Sequence, residues 1–139
     1  MTRYVLDSDI ISLLQRGDPT VAGHVGNRAP DEVATTIVSV EEQLSGWYTL
    51  LRRAKTAKGL VPVYERMTET VRFFATLPLL TFTDVAARIY EQLCSQKRRT
   101  SRMALRIAAI ALAHRAAVVT RNINDFRAIE GLDVFDWSR

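Results

Sequence analysis

One cysteine, four prolines and six glycines are scattered through 139 residues. With Cys94 alone there is no internal disulfide, and no metal-ligand cluster surrounds it. It reads as a small core residue of a chain from a reducing compartment. No apolar run is long enough to cross a bilayer. The N-terminus has no charged-then-apolar leader. No GxGxxG or Walker-type phosphate loop follows the first predicted strand, which counts against a nucleotide-binding α/β protein. Repeats, low-complexity tracts and linkers are missing too. A single cytoplasmic domain, 1–139, with no membrane contact is therefore expected.

What is present is an alternation. Tyr4-Val5-Leu6 is a short apolar run with β character, broken by Asp7-Ser8-Asp9. Ile10, Ile11, Leu13 and Leu14 then recur with helical spacing up to the turn Gly17-Asp18-Pro19. A short helix is predicted over 19–28. Val33 to Val38 is β-branched and predicts a second strand. Ser39 with Glu42 three residues later has capping-box spacing, so a helix is expected over 39–58, stopped by Gly59. Another is expected over 61–76, with Pro62 in its first turn.

Leu79 to Phe82 predicts a third strand. Thr83-Asp84 caps a helix whose core face includes Val85, Ile89 and Leu93. After the basic stretch Ser95–Thr100, Ser101 opens a helix that is apolar on nearly all sides and so must be buried. Ala116 to Thr120 and Leu132 to Phe135 are the last two strand candidates. Asn122 is placed to cap a short helix between them. Strands alternating with helices predict an α/β fold with a mostly parallel, four- to five-stranded sheet flanked by helices.

In a parallel sheet the carboxyl ends of the strands share one rim. Asp7, Glu42 and Asp125 each follow a different predicted strand, near a helix N-terminus where the backbone dipole favours negative charge. Converging carboxylates repel, and one takes up a proton unless a cation intervenes. Mg²⁺ suits such a set, because it binds one or two carboxylates together with substrate phosphates. The charge pattern agrees. Residues 1–46 hold three Arg against seven Asp or Glu, and residues 97–127 hold eight Lys or Arg against Asp125 alone. An acidic centre beside a basic surface suits handling of a polyanion.

These residues resemble the PIN-domain ribonucleases, specifically the VapC-type toxins of toxin–antitoxin pairs. Leu6-Asp7-Ser8-Asp9 resembles their LDTN start, with Asp9 for the usual Asn. Ser39 to Gly46 resembles the stretch bearing their second acid, four residues before a Gly. Met103 to Ala109 resembles MDLRIAA, and Val119 to Phe126 resembles VTRNxxDF. Gly131 to Trp137 is similar to their ending. The resemblance runs along essentially the whole chain. It implies a PIN-like three-layer sandwich, with Asp7, Glu42 and Asp125 as catalytic acids and metal ligands and with Thr120 and Asn122 in support. It also implies Mg²⁺- or Mn²⁺-dependent endonucleolytic cleavage of RNA, a homodimer, and a cognate VapB-like antitoxin.

One position departs. Ala104 stands where the family has its third acid, and an alanine cannot bind metal or orient a water. Either an Asp→Ala replacement has disabled a nuclease, or the chain is a natural non-catalytic module that binds RNA or an antitoxin. Arg98, Arg99 and Arg102, with Lys97 and Arg106 nearby, are candidates for holding the RNA backbone. Trp47, Tyr48, Tyr64, Phe73 and Phe74 exceed what helix packing needs, and they are candidates for an antitoxin groove or a dimer face.

Overall fold

The computed structural model describes residues 1–96 and 99–139. Five strands form one sheet: β1 (Tyr4–Leu6), β2 (Val33–Thr36), β3 (Leu79–Leu80), β4 (Ala117–Val119) and β5 (Val134–Phe135). Their order is β3-β2-β1-β4-β5, and all four pairings are parallel. The sheet is therefore wholly parallel, not mostly so. Among the described residues seven α-helices connect and cover it: α1 (Ser8–Gln15), α2 (Pro19–Gly26), α3 (Ile37–Arg53), α4 (Ala57–Phe74), α5 (Asp84–Ser95), α6 (Arg102–Ala113) and α7 (Ile123–Arg127).

Two apolar clusters lie among the buried residues. One is built around α6, whose residues 104, 105 and 107–111 are all buried, against Val5, Val118, Phe126 and Leu132. The other gathers Leu6, Ile10, Ile11 and Val21 with Val33, Phe74, Val119 and Trp137. Alternate residues of β1 thus serve opposite clusters, Val5 one and Leu6 the other, as strand geometry requires. With both faces covered, β1 and β4 read as continuous apolar runs, and β2 ends in two buried threonines.

The helix starts differ from the sequence reading in three places. The strand expected over Val33 to Val38 ends at Thr36, and α3 starts there. The cap is Thr36, whose hydroxyl accepts the Ser39 N–H at 3.4 Å, so Ser39 lies inside the helix and is buried. Glu42 is consequently in the second turn, not the first, and no capping box forms. Gly59 does not stop a helix. Its N–H donates to Thr56 Oγ1 at 3.0 Å in the first turn of α4, which puts Pro62 further inside that helix. Asn122 stands at the N-cap of α7 but makes no side-chain cap bond, because its amide turns to Asp125.

Two burial expectations also fail. Val85 is 46% exposed, and the neighbouring Ala86 takes the core position of α5 beside Leu93. Cys94 is exposed, not a core residue.

Helices α1 and α6 both end in a Schellman turn. Asp18 N–H reaches Leu13 O at 3.0 Å across Gly17, which has φ +77°. Ala116 N–H reaches Ala111 O at 2.9 Å across Arg115, which has φ +54°. Glycine adopts this left-handed conformation without penalty, whereas arginine sets its Cβ against the backbone. Arg115→Gly should therefore stabilise the chain by about 0.5–1 kcal/mol. Chemical denaturation measures it; an unchanged or lowered midpoint contradicts the assigned strain.

Candidate functional site

The crossover reverses direction between β1 and β4. The chain builds outward from β1 through β2 to β3, then returns to the other side of β1 as β4 and continues to β5. Open parallel sheets bind ligands in the crevice at such a switch point, beyond the carboxyl ends of the strands. Asp7 follows β1 there, and Thr120 follows β4. The registry Leu6 with Val119 sets them side by side, and Asp7 N–H donates to Val119 O at 2.9 Å. Thr35 Oγ1 donates to Leu6 O at 3.1 Å and adds the end of β2 to the same rim.

The Asp7 carboxylate has fixed partners. Oδ2 accepts from Thr120 Oγ1 at 2.8 Å, and Oδ1 accepts from Ser8 N–H, also at 2.8 Å. Thr120 is fully buried and itself accepts the Asn122 N–H at 3.0 Å. Asn122 Nδ2 then donates to Asp125 Oδ2 at 2.6 Å. On the other flank, Ser8 Oγ donates to Glu42 Oε1 at 2.9 Å and stands 3.0 Å from the buried Ser39 Oγ. Asp7 is thus connected to Glu42 through Ser8, and to Asp125 through Thr120 and Asn122. Thr100 Oγ1 donates to Asp125 O at 2.9 Å, which ties the entry of α6 to this region.

An acid in the first turn of a helix, as Asp9 is in α1, is ordinarily solvated. Asp9 instead faces the rim. Its Oδ2 accepts Arg121 N–H at 3.0 Å and lies 3.4 Å from Thr120 Oγ1. Its Oδ1 is buried with no hydrogen-bond partner among the described residues. Sequence reasoning missed this role, because an acid two residues beyond a strand is a common helix-start residue. The signal available was its place in the LDTN-like start.

Burial pushes the Asp7 carboxyl up to about 6, helped by the charge of Asp9 and, more weakly, that of Glu42. The bonds from Thr120 and Ser8 oppose the rise without cancelling it. Burial raises Asp9 as well, against the pull of the Arg121 and Ile10 N–H groups. Neither carboxylate forms an ion pair among the described residues.

An all-oxygen set of crowded carboxylates, one with an orphaned oxygen, matches the chemistry of a hard divalent cation. The count is short. Among the described residues, no three Asp, Glu, His or Cys side chains stand together as an ion's ligands would. Ala104 is 9% exposed in the first turn of α6, where its N–H donates to Ser101 Oγ at 3.1 Å, and it packs with the core.

The basic candidates separate. Lys97 and Arg98 lie outside the described residues. Arg99 and Arg102 are exposed. Arg106 is half-buried, with its guanidinium 5.5 Å from the centre of the Tyr90 ring and Nη1 3.5 Å from Met103 Sδ.

No family model matches the chain, and a sequence search of curated proteins finds no relative. Solved structures do match. A FitAcB structure from Neisseria gonorrhoeae is 25% identical at TM-score 0.71, covering 96% of this chain and 97% of its own. A FitAB structure bound to an IR36 DNA fragment is 26% identical at TM-score 0.72, covering 98% and 96%. A DNA-bound VapBC structure from Salmonella typhimurium is 20% identical at TM-score 0.78, covering 99% of both chains.

The raised Asp7 has a consequence for stability. Between about pH 4 and pH 6 the folded chain holds a proton that the unfolded chain has released, so stability falls as pH rises through that window. The cost above it is at most about 3 kcal/mol. Asp7→Asn should remove the charge and keep the contacts, since its amide can donate to Thr120 Oγ1. In chelator, the variant should exceed the parent by about 1–2 kcal/mol at pH 7 and lose that advantage towards pH 4. Thermal midpoints across pH 4–7.5 measure this, and a pH-independent difference would falsify the burdened carboxylate. With its wholly parallel sheet, its acidic switch point and these full-length matches, the chain has a PIN-domain fold of the VapC type.

Proposed function

We propose that the chain is a toxin-type PIN protein built for metal-dependent endonucleolytic cleavage of RNA, and impaired in that reaction by Ala104. The supporting observation is the switch-point carboxylate Asp7, held by Thr120 and Ser8 and joined through them to Asp125 and Glu42. Asp7, with Glu42 and Asp125 reached through these relays, would offer oxygens to Mg²⁺ or Mn²⁺, but among the described residues the three do not stand together as a complete ligand set. When bound, the cation would neutralise these acids and stabilise charge on a phosphodiester undergoing hydrolysis.

The chain's own groups have separable roles. Thr120 fixes Asp7 and leaves its remaining lone pairs facing the crevice. Asn122 orients Asp125. Ser8 holds Glu42 beside Asp7. Arg99 and Arg102, exposed at the entry to α6, would hold the RNA backbone by charge; Arg98, also a candidate, lies outside the described residues. The protein partner is a VapB-like antitoxin. Tyr48, Val61 and Tyr64 leave apolar surface exposed on α3 and α4, which suits such a chain or the second copy of a homodimer. Among the described residues no helix is long and apolar enough to span a membrane, and we assign the protein to the cytoplasm.

A second reading rests on Ala104. Its methyl group belongs to the core, and no three-acid group forms among the described residues. The same fold can then serve as a non-catalytic module that binds RNA or antitoxin.

Ala104→Asp separates the two. On the nuclease reading the variant binds Mn²⁺ more tightly by calorimetry, by about tenfold or more, and cuts single-stranded RNA in Mg²⁺ while the parent is nearly inert. A folded variant that gains neither property leaves the binding-module reading.

A further inference from the structure

A cleft of about 430 Å³ opens between α1, α3 and α4, lined by Gln15, Arg16, Gln43, Trp47, Arg66 and Phe73 among others. A second hollow of about 320 Å³ shares Ser12, Gln15, Gln43 and Trp47 with it and adds Glu42. The two adjoin through these shared residues, and the smaller one reaches Glu42, the carboxylate joined to Asp7 through Ser8. Of the proposed metal and catalytic residues only Glu42 lines this recess, and of the aromatic residues singled out in the sequence Trp47 and Phe73 do.

Its chemistry is specific. The Trp47 indole is held rigidly, because Nε1–H donates to the buried Thr70 hydroxyl at 2.9 Å, and that hydroxyl donates to Arg66 O, also at 2.9 Å. Gln15 and Gln43 pair their amides reciprocally, Nε2 to Oε1, at 3.0 and 2.9 Å. Arg16 and Arg66 form no ion pair among the described residues, although Glu69 also lines the cleft. A fixed indole offers a stacking platform for an unpaired base. Each amide offers an adjacent donor and acceptor, the pattern that reads a base edge bidentately, and a base can replace one amide of the pair without leaving the other unsatisfied. Free guanidinium groups suit phosphates. Single-stranded RNA uses stacking, edge hydrogen bonds and backbone charge together.

We infer that this recess binds a nucleotide of single-stranded RNA next to the cleavage position, with the base against Trp47 and the glutamine pair and the backbone towards Arg16 and Arg66. The inference rests on the nuclease reading for its substrate class, and binding alone tests it. Anisotropy of a labelled 12-nucleotide single-stranded RNA is to be followed in chelator, with tryptophan emission recorded in parallel. Gln43→Ala and Arg66→Ala should each weaken binding by about fivefold, and Trp47→Phe should abolish the emission change on binding while the Trp137 signal persists. Arg88→Ala, on α5, serves as the control and should bind like the parent. Trp47→Phe keeps an aromatic ring, and circular dichroism confirms folding of each variant. RNA affinity unchanged in both Gln43→Ala and Arg66→Ala overturns the inference, and is the result expected if a peptide segment occupies the recess; the nuclease reading then still stands. Absence of RNA binding by the parent and by Ala104→Asp alike overturns both.

Discussion

A carboxylate buried at the carboxyl end of the central strand is the constraint on which the molecule's remaining features depend. Asp7 sits between β2 and β4 at the point where the chain crosses over, so it is crowded by backbone on both sides. Desolvation disfavours its charge, and Asp9 and Glu42 add repulsion. Two hydrogen bonds from Ser8 and Thr120 hold the group in place but supply too little to restore an ordinary carboxylate. A protein selected only for stability has no reason to keep such an arrangement. Strained electrostatics confined to a ligand-binding crevice indicate a site.

The rim is assembled by relays, not by direct contacts between acids. Each hydroxyl serves two partners: Thr120 accepts from Asn122 and donates to Asp7, and Ser8 bridges Glu42 and the Ser39 hydroxyl. The shift of α3 is what makes this possible. Because Thr36 takes the cap, Ser39 turns inward to meet Ser8, and Glu42 follows one turn later on the same side of the helix. Had Ser39 capped the helix, its hydroxyl would have been spent on the helix's own N–H groups.

The parallel sheet and the shared rim of its strand ends were legible because they follow from coarse signals. Short β-branched runs separated by helical periods leave few arrangements other than a parallel sheet, and such a sheet puts all strand ends on one rim. The errors have a common origin. At Ile37 and Val38, β-branched residues were read by propensity as strand, yet tertiary packing recruits them into α3. At Gly59 and Pro62, breaker residues were read as a boundary, yet both are tolerated inside α4 behind the Thr56 cap. At Asn122 a side chain with the right chemistry for a cap found a stronger, charged partner three residues on. Asp9 had one local signal, its place in the LDTN-like start, but its partners Thr120 and Arg121 are more than a hundred residues away.

Position 104 shows how stability and chemistry oppose each other in this fold. Helix α6 is buried along most of its length, and the alanine at its third residue completes an apolar surface. An aspartate there would put a desolvated negative charge in place of a buried methyl group. Proximity to the α6 N-terminus would recover only about 0.3–1 kcal/mol of that cost. The fold is therefore easier to maintain with alanine, and the carboxylate is worth its cost only where an ion shares the load. On the nuclease reading, alanine at 104 would leave the protein the means to hold and orient Asp7, Glu42 and Asp125 while lacking the acid that the sequence resemblance expects at this position.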